Sequence, residues 1–128
     1  MATYTVKNAL SAYKANPNLA PFLITDTAAN VGTNIDALET IAKAGKIVSI
    51  SLSGTATLLS ISGLQYVNDA DVLRLIVSPY TLKLSAVTTA QVNSNILGDA
   101  HIVSVAVTDS SANIAKTLDL LQTNIAKI

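Results

Sequence analysis

The chain has 128 residues, half of them apolar but only five aromatic, with eight basic and eight acidic side chains, one histidine and no cysteine. A formal net charge of zero argues against the clustered positive field that nucleic acid and anionic bilayers demand, and the missing cysteine excludes disulfides and thiolate metal sites. A chain this long forms one domain burying roughly two-thirds of its unfolded surface, with a core of Ala, Val, Ile and Leu under a Ser/Thr/Asn surface that carries little charge to keep copies apart.

Residues 1–7 hold no hydrophobic stretch followed by a small-residue cleavage site, so no secretory signal is expected there. No apolar run approaches the ~18–20 residues of a membrane span. Val6–Tyr13 reads as a helix that stops before Asn16-Pro17. Phe22–Ile24 reads as a strand leading into a helix capped at Asp26, whose stripe Ala28, Val31, Ile35, Leu38 and Ala42 recurs at three- and four-residue steps. Gly45 ends that helix. Strands follow at Ile47–Leu52 and Thr57–Ile61, separated by a Ser53-Gly54 turn. Asn68-Asp69-Ala70-Asp71 predicts the cap of a short helix over Val72–Ile76, stopped by Ser78-Pro79. Next come a strand at Tyr80–Leu84, a short helix over Ala90–Leu97, and the alternating strand Ile102–Val107. The last element repeats the first long helix, with Asp109 as cap and Ile114, Leu118, Leu121 and Ile125 on one face.

That repetition is the strongest signal in the chain. Thr25-Asp26-Thr27-Ala28-Ala29-Asn30-Val31 recurs, 83 residues on and without a gap, as Thr108-Asp109-Ser110-Ser111-Ala112-Asn113-Ile114, and the likeness runs on over residues 25–43 and 108–126. Self-similarity at fixed offset marks a copied supersecondary unit. The expected fold is α/β: a solenoid-like stack of strand–helix repeats with parallel strands and right-handed crossovers, a compact three-layer α/β fold being the alternative. Residues 1–21 are expected to form an N-terminal helical cap and 22–128 the repeat domain.

Asp26–Val31, Ile35–Leu38 and the following Gly45–Leu52 resemble a repeat of large bacterial secreted and surface proteins that reads approximately "DTAANI, spacer, LDALQ, spacer, GKI, alternating strand". Leu59–Tyr66, Asp69–Leu73 and Tyr80–Leu84 are similar to its second half, so the resemblance covers about residues 22–128. It implies haemolysin-type, S-layer-like or adhesin-like products of type I secretion, an extracellular or cell-surface location, and no catalytic residues. The calcium-binding nonapeptides common in such proteins are absent here.

Site candidates are few. His101 has no histidine or cysteine partner and reads as a loop residue. Asn68–Asp71 cannot open a calcium loop, because the sixth and twelfth positions are Leu73 and Pro79. Asp26, Asn30, Asp109 and Asn113 are assigned capping and structural roles, each Asn satisfying backbone groups of a neighbouring corner. Tyr66 and Tyr80 are the one pair of aromatics that suggests a ligand surface. The expectation is a non-enzymatic structural or interaction module without metal or cofactor, partnered by itself or by neighbouring repeats. A carbohydrate- or small-ligand-binding module, with a surface glycan as partner, is the alternative.

Overall fold

The computed structural model describes residues 1–128. Strand β1 (Thr3–Tyr4) leads into helix α1 (Val6–Ala15), and β2 (Phe22–Thr27) into the helix pair α2 (Ala28–Thr33) and α3 (Ile35–Lys43). Strand β3 (Ile47–Ser53) follows, then β4 (Leu58–Ser62) and a second helix pair, α4 (Gly63–Asn68) and α5 (Ala70–Leu73). Strand β5 (Thr81–Val87) continues through a 3-10 turn (Thr89–Gln91) to α6 (Ser94–Gly98). Strand β6 (Ile102–Val107) ends in the third pair, α7 (Ser111–Lys116) and α8 (Leu118–Thr123).

The strands make two three-stranded sheets, β1-β2-β3 and β4-β5-β6, parallel throughout. The α/β class and the parallel pairing agree with the expectation. Parallel neighbours cannot be joined by a tight hairpin, so helical segments carry the crossovers. The β3–β4 link instead passes between sheets through Gly54, whose φ of 79° suits a residue without Cβ. Ile76 adds a single parallel bridge to Ile50, so the chain touches the first sheet again after β4. Twenty-four buried apolar side chains from both halves, among them Phe22, Ile24, Ile50, Leu59, Leu82 and Ile102, form one cluster.

Five corners share one construction. A strand-like residue with a hydroxyl, Thr5, Thr27, Ser62, Thr88 or Ser110, turns directly into a helical segment with φ between −64° and −84°. Four of the hydroxyls accept the backbone N–H three residues on, at 3.0–3.3 Å, filling one of the donors that a helix start leaves open. At Ser62 and Thr88 a glutamine three residues later, Gln65 or Gln91, returns a bond to the cap's own N–H.

This construction corrects several sequence expectations. The helix cap is Thr27 and not Asp26, and Ser110 and not Asp109, because the hydroxyl one residue later accepts the backbone N–H of Asn30 or Asn113 while each aspartate bonds to the preceding corner. Each long helix is a bent pair. Asn34 and Thr117 break them at φ −108° and −109°, and their side chains bond back to the carbonyls of Asn30 and Asn113 at 2.9 and 3.0 Å. Such back-bonding competes with the helical ladder. Asp69 bends the middle pair at a similar φ of −106°, without such a back-bond. Helix α4 is an element the hydrophobic pattern does not predict, although Ser62-x-x-Gln65 is its start signal; the helix over 72–76 shrinks to Ala70–Leu73, and that over 90–97 to a 3-10 turn plus α6.

Candidate functional site

The duplicated residues meet at matched places on the two sheets. Asp26 sits between two corners: one carboxylate oxygen accepts from Val6 N at 2.9 Å, the other from Thr27 N at 2.7 Å and Asn30 Nδ2 at 2.8 Å. Asp109 repeats this with Thr89 N at 3.0 Å, Thr89 Oγ1 at 2.8 Å, Ser110 N at 2.7 Å and Asn113 Nδ2 at 2.8 Å. Both aspartates thus fasten their own corner to the corner 20 residues earlier. Burial opposes ionisation of Asp26, but its bonds with Asn30, Val6 and Thr27 hold the carboxyl below its usual range. Asp109 is lowered by its bonds with Asn113, Thr89 and Ser110. The asparagines were expected to reach the neighbouring corner. They are instead exposed and spend their amides on the aspartates, which make the crossing.

Tyr66 and Tyr80, the suggested ligand surface, line one groove of about 710 Å³ together with Arg74, Asn95, Asp99 and His101. Tyr66 Oη donates to Asp99 Oδ2 at 2.5 Å. The Tyr80 and His101 rings stack at 4.1 Å and 7°. Asp99 Oδ1 lies 2.9 Å from both the backbone N and the Nδ1 of His101, while Lys127 Nζ crosses underneath to the carbonyls of Leu97 and Asp99. Burial pushes the Tyr66 hydroxyl up, helped by the adjacent Asp99 charge, and burial does the same to Tyr80. Burial also resists Asp99 ionisation, yet the bonds from Tyr66 and His101 leave its carboxyl lowered. His101 thus lies in the turn before β6, as a loop or strand-edge residue, and is tied there into a connected cluster. An Asp–His couple is half of a nucleophilic machine, but no hydroxyl or thiol hydrogen-bonds to this imidazole.

A second cleft, of about 520 Å³, lies where α3 meets the α4–α5 pair and is lined by Asp36, Glu39, Lys43, Gln65 and Asp69. Asp69 holds the cap position of α5 but makes no capping bond. Glu39 supplies that bond from α3, its Oε1 accepting from Val72 N at 2.9 Å. The Asn68–Asp71 cluster, expected to cap this helix, therefore supplies no capping side chain; Glu39 does so instead. Gln65 Nε2 donates to Asp36 Oδ2 at 3.2 Å. Glu39 Oε2 and Asp69 Oδ2 are buried without a partner. Burial first, then the hydrogen bond and charge of Asp36 and the charge of Glu39, push Asp69 up to about 7 against a smaller opposing pull from Lys43. Its partner Asp36 is lowered by the bonds with Asp69 and Gln65. Asp69 and Asp36 thus form an acid–carboxylate pair, the protonated form favoured at Asp69 and the ionised form at Asp36. Nothing in the sequence pointed to this pair, because α4 and the bend at Asp69 were needed to bring it together.

No three His, Cys, Asp or Glu side chains are grouped so as to hold a metal ion. No helix is long and apolar enough to cross a membrane. Comparison with protein-family models, with curated proteins and with solved structures finds no match.

Proposed function

We propose that the chain is a non-enzymatic structural and interaction module, a solenoid-like stack of strand–helix repeats with right-handed crossovers, from a secreted or cell-surface bacterial protein. The observation that supports it is the corner fastener: Asp26–Val6 and Asp109–Thr89 make the same bond across the same 20 residues. Carboxylates committed to backbone donors hold layers together and are not free to act on a substrate. The residues that the copies share are thus assembly residues. The likeness of Asp26–Leu52 to repeats of type I-secreted surface proteins supplies the location.

Such a module associates with itself, since zero net charge leaves little long-range repulsion between copies. Sedimentation velocity over about a hundredfold concentration range tests this, association being linked to protomer concentration. The expected outcome is a rising weight-average mass; one monomeric species throughout refutes it.

The Tyr66–Tyr80 groove favours a second reading, a carbohydrate- or small-ligand-binding surface. Half-buried rings and hydrogen-bonding neighbours lining one groove suit sugar contacts. A glycan array tests it. A reproducible hit lost in Tyr80→Ala supports the reading, and a blank array removes it.

A further inference from the structure

The two copies of the duplicated unit differ in what lies against them. In the first, Ala28, Val31, Ile35 and Leu38 are fully buried. The α2–α3 face that carries them packs on β4 and α5. In the second, Leu121, at the place of Leu38, is still buried, but the corresponding Ser111 and Leu118 are exposed and Ile114 is half-buried; Leu118 is 58% accessible and Ile125, at the place of Ala42, 61%. Within these 128 residues nothing plays for α7–α8 the part that Leu58–Leu73 plays for α2–α3.

The uncovered face nevertheless retains the groups that hold the first layer. Asp36, which accepts from Gln65 Nε2, is matched by Asp119. Glu39, which accepts from Val72 N, is matched by Gln122, whose amide oxygen can accept the same donor without burying a charge. At Gly32, a Cβ would stand 3.5 Å from Ser60 N and 3.6 Å from Leu59 Cβ, which is ordinary contact. Ala115 at the matching place therefore leaves room for a strand. The chain path agrees too: Val105 N bonds to Lys127 O at 2.6 Å as Phe22 N bonds to Lys46 O at 2.8 Å. Lys127-Ile128 thus stands beside β6 where Lys46-Ile47 stands beside β2.

We infer that the α7–α8 face is a docking surface for a strand–helix layer with the chemistry of Leu58–Leu73. That layer presents alternating apolar residues to Ile114 and Leu118, a side-chain amide to Asp119, and the N–H groups of a short helix start to Gln122. The inference rests on the repeat-module reading and names the kind of partner the module takes.

The test is an extended chain in which Val48–Pro79 is repeated directly after Ile128, so that docking is intramolecular and independent of self-association. Amide exchange across residues 111–123 should slow by about tenfold or more, as expected when an exposed element joins the core. Leu118→Asp in the extended chain should restore fast exchange there without changing residues 1–60. Unchanged exchange at 111–123, or slowing that survives Leu118→Asp, overturns the proposal. So does pairing of two α7–α8 faces between chains with the added layer unprotected. A parent chain that stays monomeric while the extension docks would refute self-association and leave this surface standing.

Discussion

Asp69→Asn should stabilise the protein at pH 8 and stabilise it less at pH 5. Asp69 is 4% accessible, and one of its oxygens has no partner. Its carboxyl lies near 7 in the folded chain against 3.8 ordinarily. The fold therefore binds this proton more tightly than the unfolded chain does, so the stabilisation is complete below about pH 4 and is lost as pH rises through about 7. At ~1.4 kcal/mol per pKa unit the shift sets a ceiling of about 4 kcal/mol on the penalty at pH 8. Asp36 moves the opposite way, and the titration belongs to the pair, so a net gain of about 1–2 kcal/mol is expected from an amide that donates to Asp36 at every pH. Urea denaturation followed by circular dichroism at pH 5 and pH 8 measures it. A variant less stable than the parent at pH 8, or a parent whose midpoint does not move between the two pH values, would refute the acid–carboxylate pair.

Asp26→Asn should cost about 1–2 kcal/mol, nearly as much as Asp26→Ala, because one amide oxygen cannot serve both Val6 N and the Thr27–Asn30 pair; chemical denaturation at pH 7 checks this, and a neutral Asn variant would show that the crossing bond is weak. Ala86, at φ 51° in the irregular β5–β6 pairing, occupies a conformation that costs a non-glycine residue roughly 1 kcal/mol, so Ala86→Gly should raise the melting temperature by a few degrees in calorimetry. Tyr66→Phe should cost about 1 kcal/mol, discounted for the half-exposed setting of its bond to Asp99. In an alkaline spectrophotometric titration the parent should show two tyrosines, Tyr66 and Tyr80, ionising above the ordinary range, and Tyr66→Phe should leave one.

Strands with alternating or continuous β-branched residues, such as Ile47–Leu52 and Ile102–Val107, were legible from the sequence because their pattern is local. Helix starts were misplaced for a local reason too. A hydroxyl after an acidic residue, as in Asp26-Thr27 and Asp109-Ser110, offers two candidate caps, and only the bond of each aspartate to the preceding corner chooses between them. Asn34 and Thr117 were invisible as bends because the apolar stripe continues through both. The Asp36–Asp69 pair and the gathering of Tyr66, Tyr80, Asp99 and His101 depend on contacts across 29–33 residues, which no periodicity encodes. The Tyr66 and Tyr80 positions were singled out for their aromaticity alone; their common groove follows from the fold.

The corner bonds have a direction. Each aspartate reaches backward along the chain, Asp26 to Val6 and Asp109 to Thr89. A unit joined after an existing one therefore arrives with its own clasp and asks nothing new of its predecessor beyond a free amide. A unit removed from the front strands its successor's carboxylate with no amide to hold. Lengthening and shortening are thus unequal operations at these two corners: an added unit brings its own clasp, while loss of the leading unit is opposed at the corner that remains.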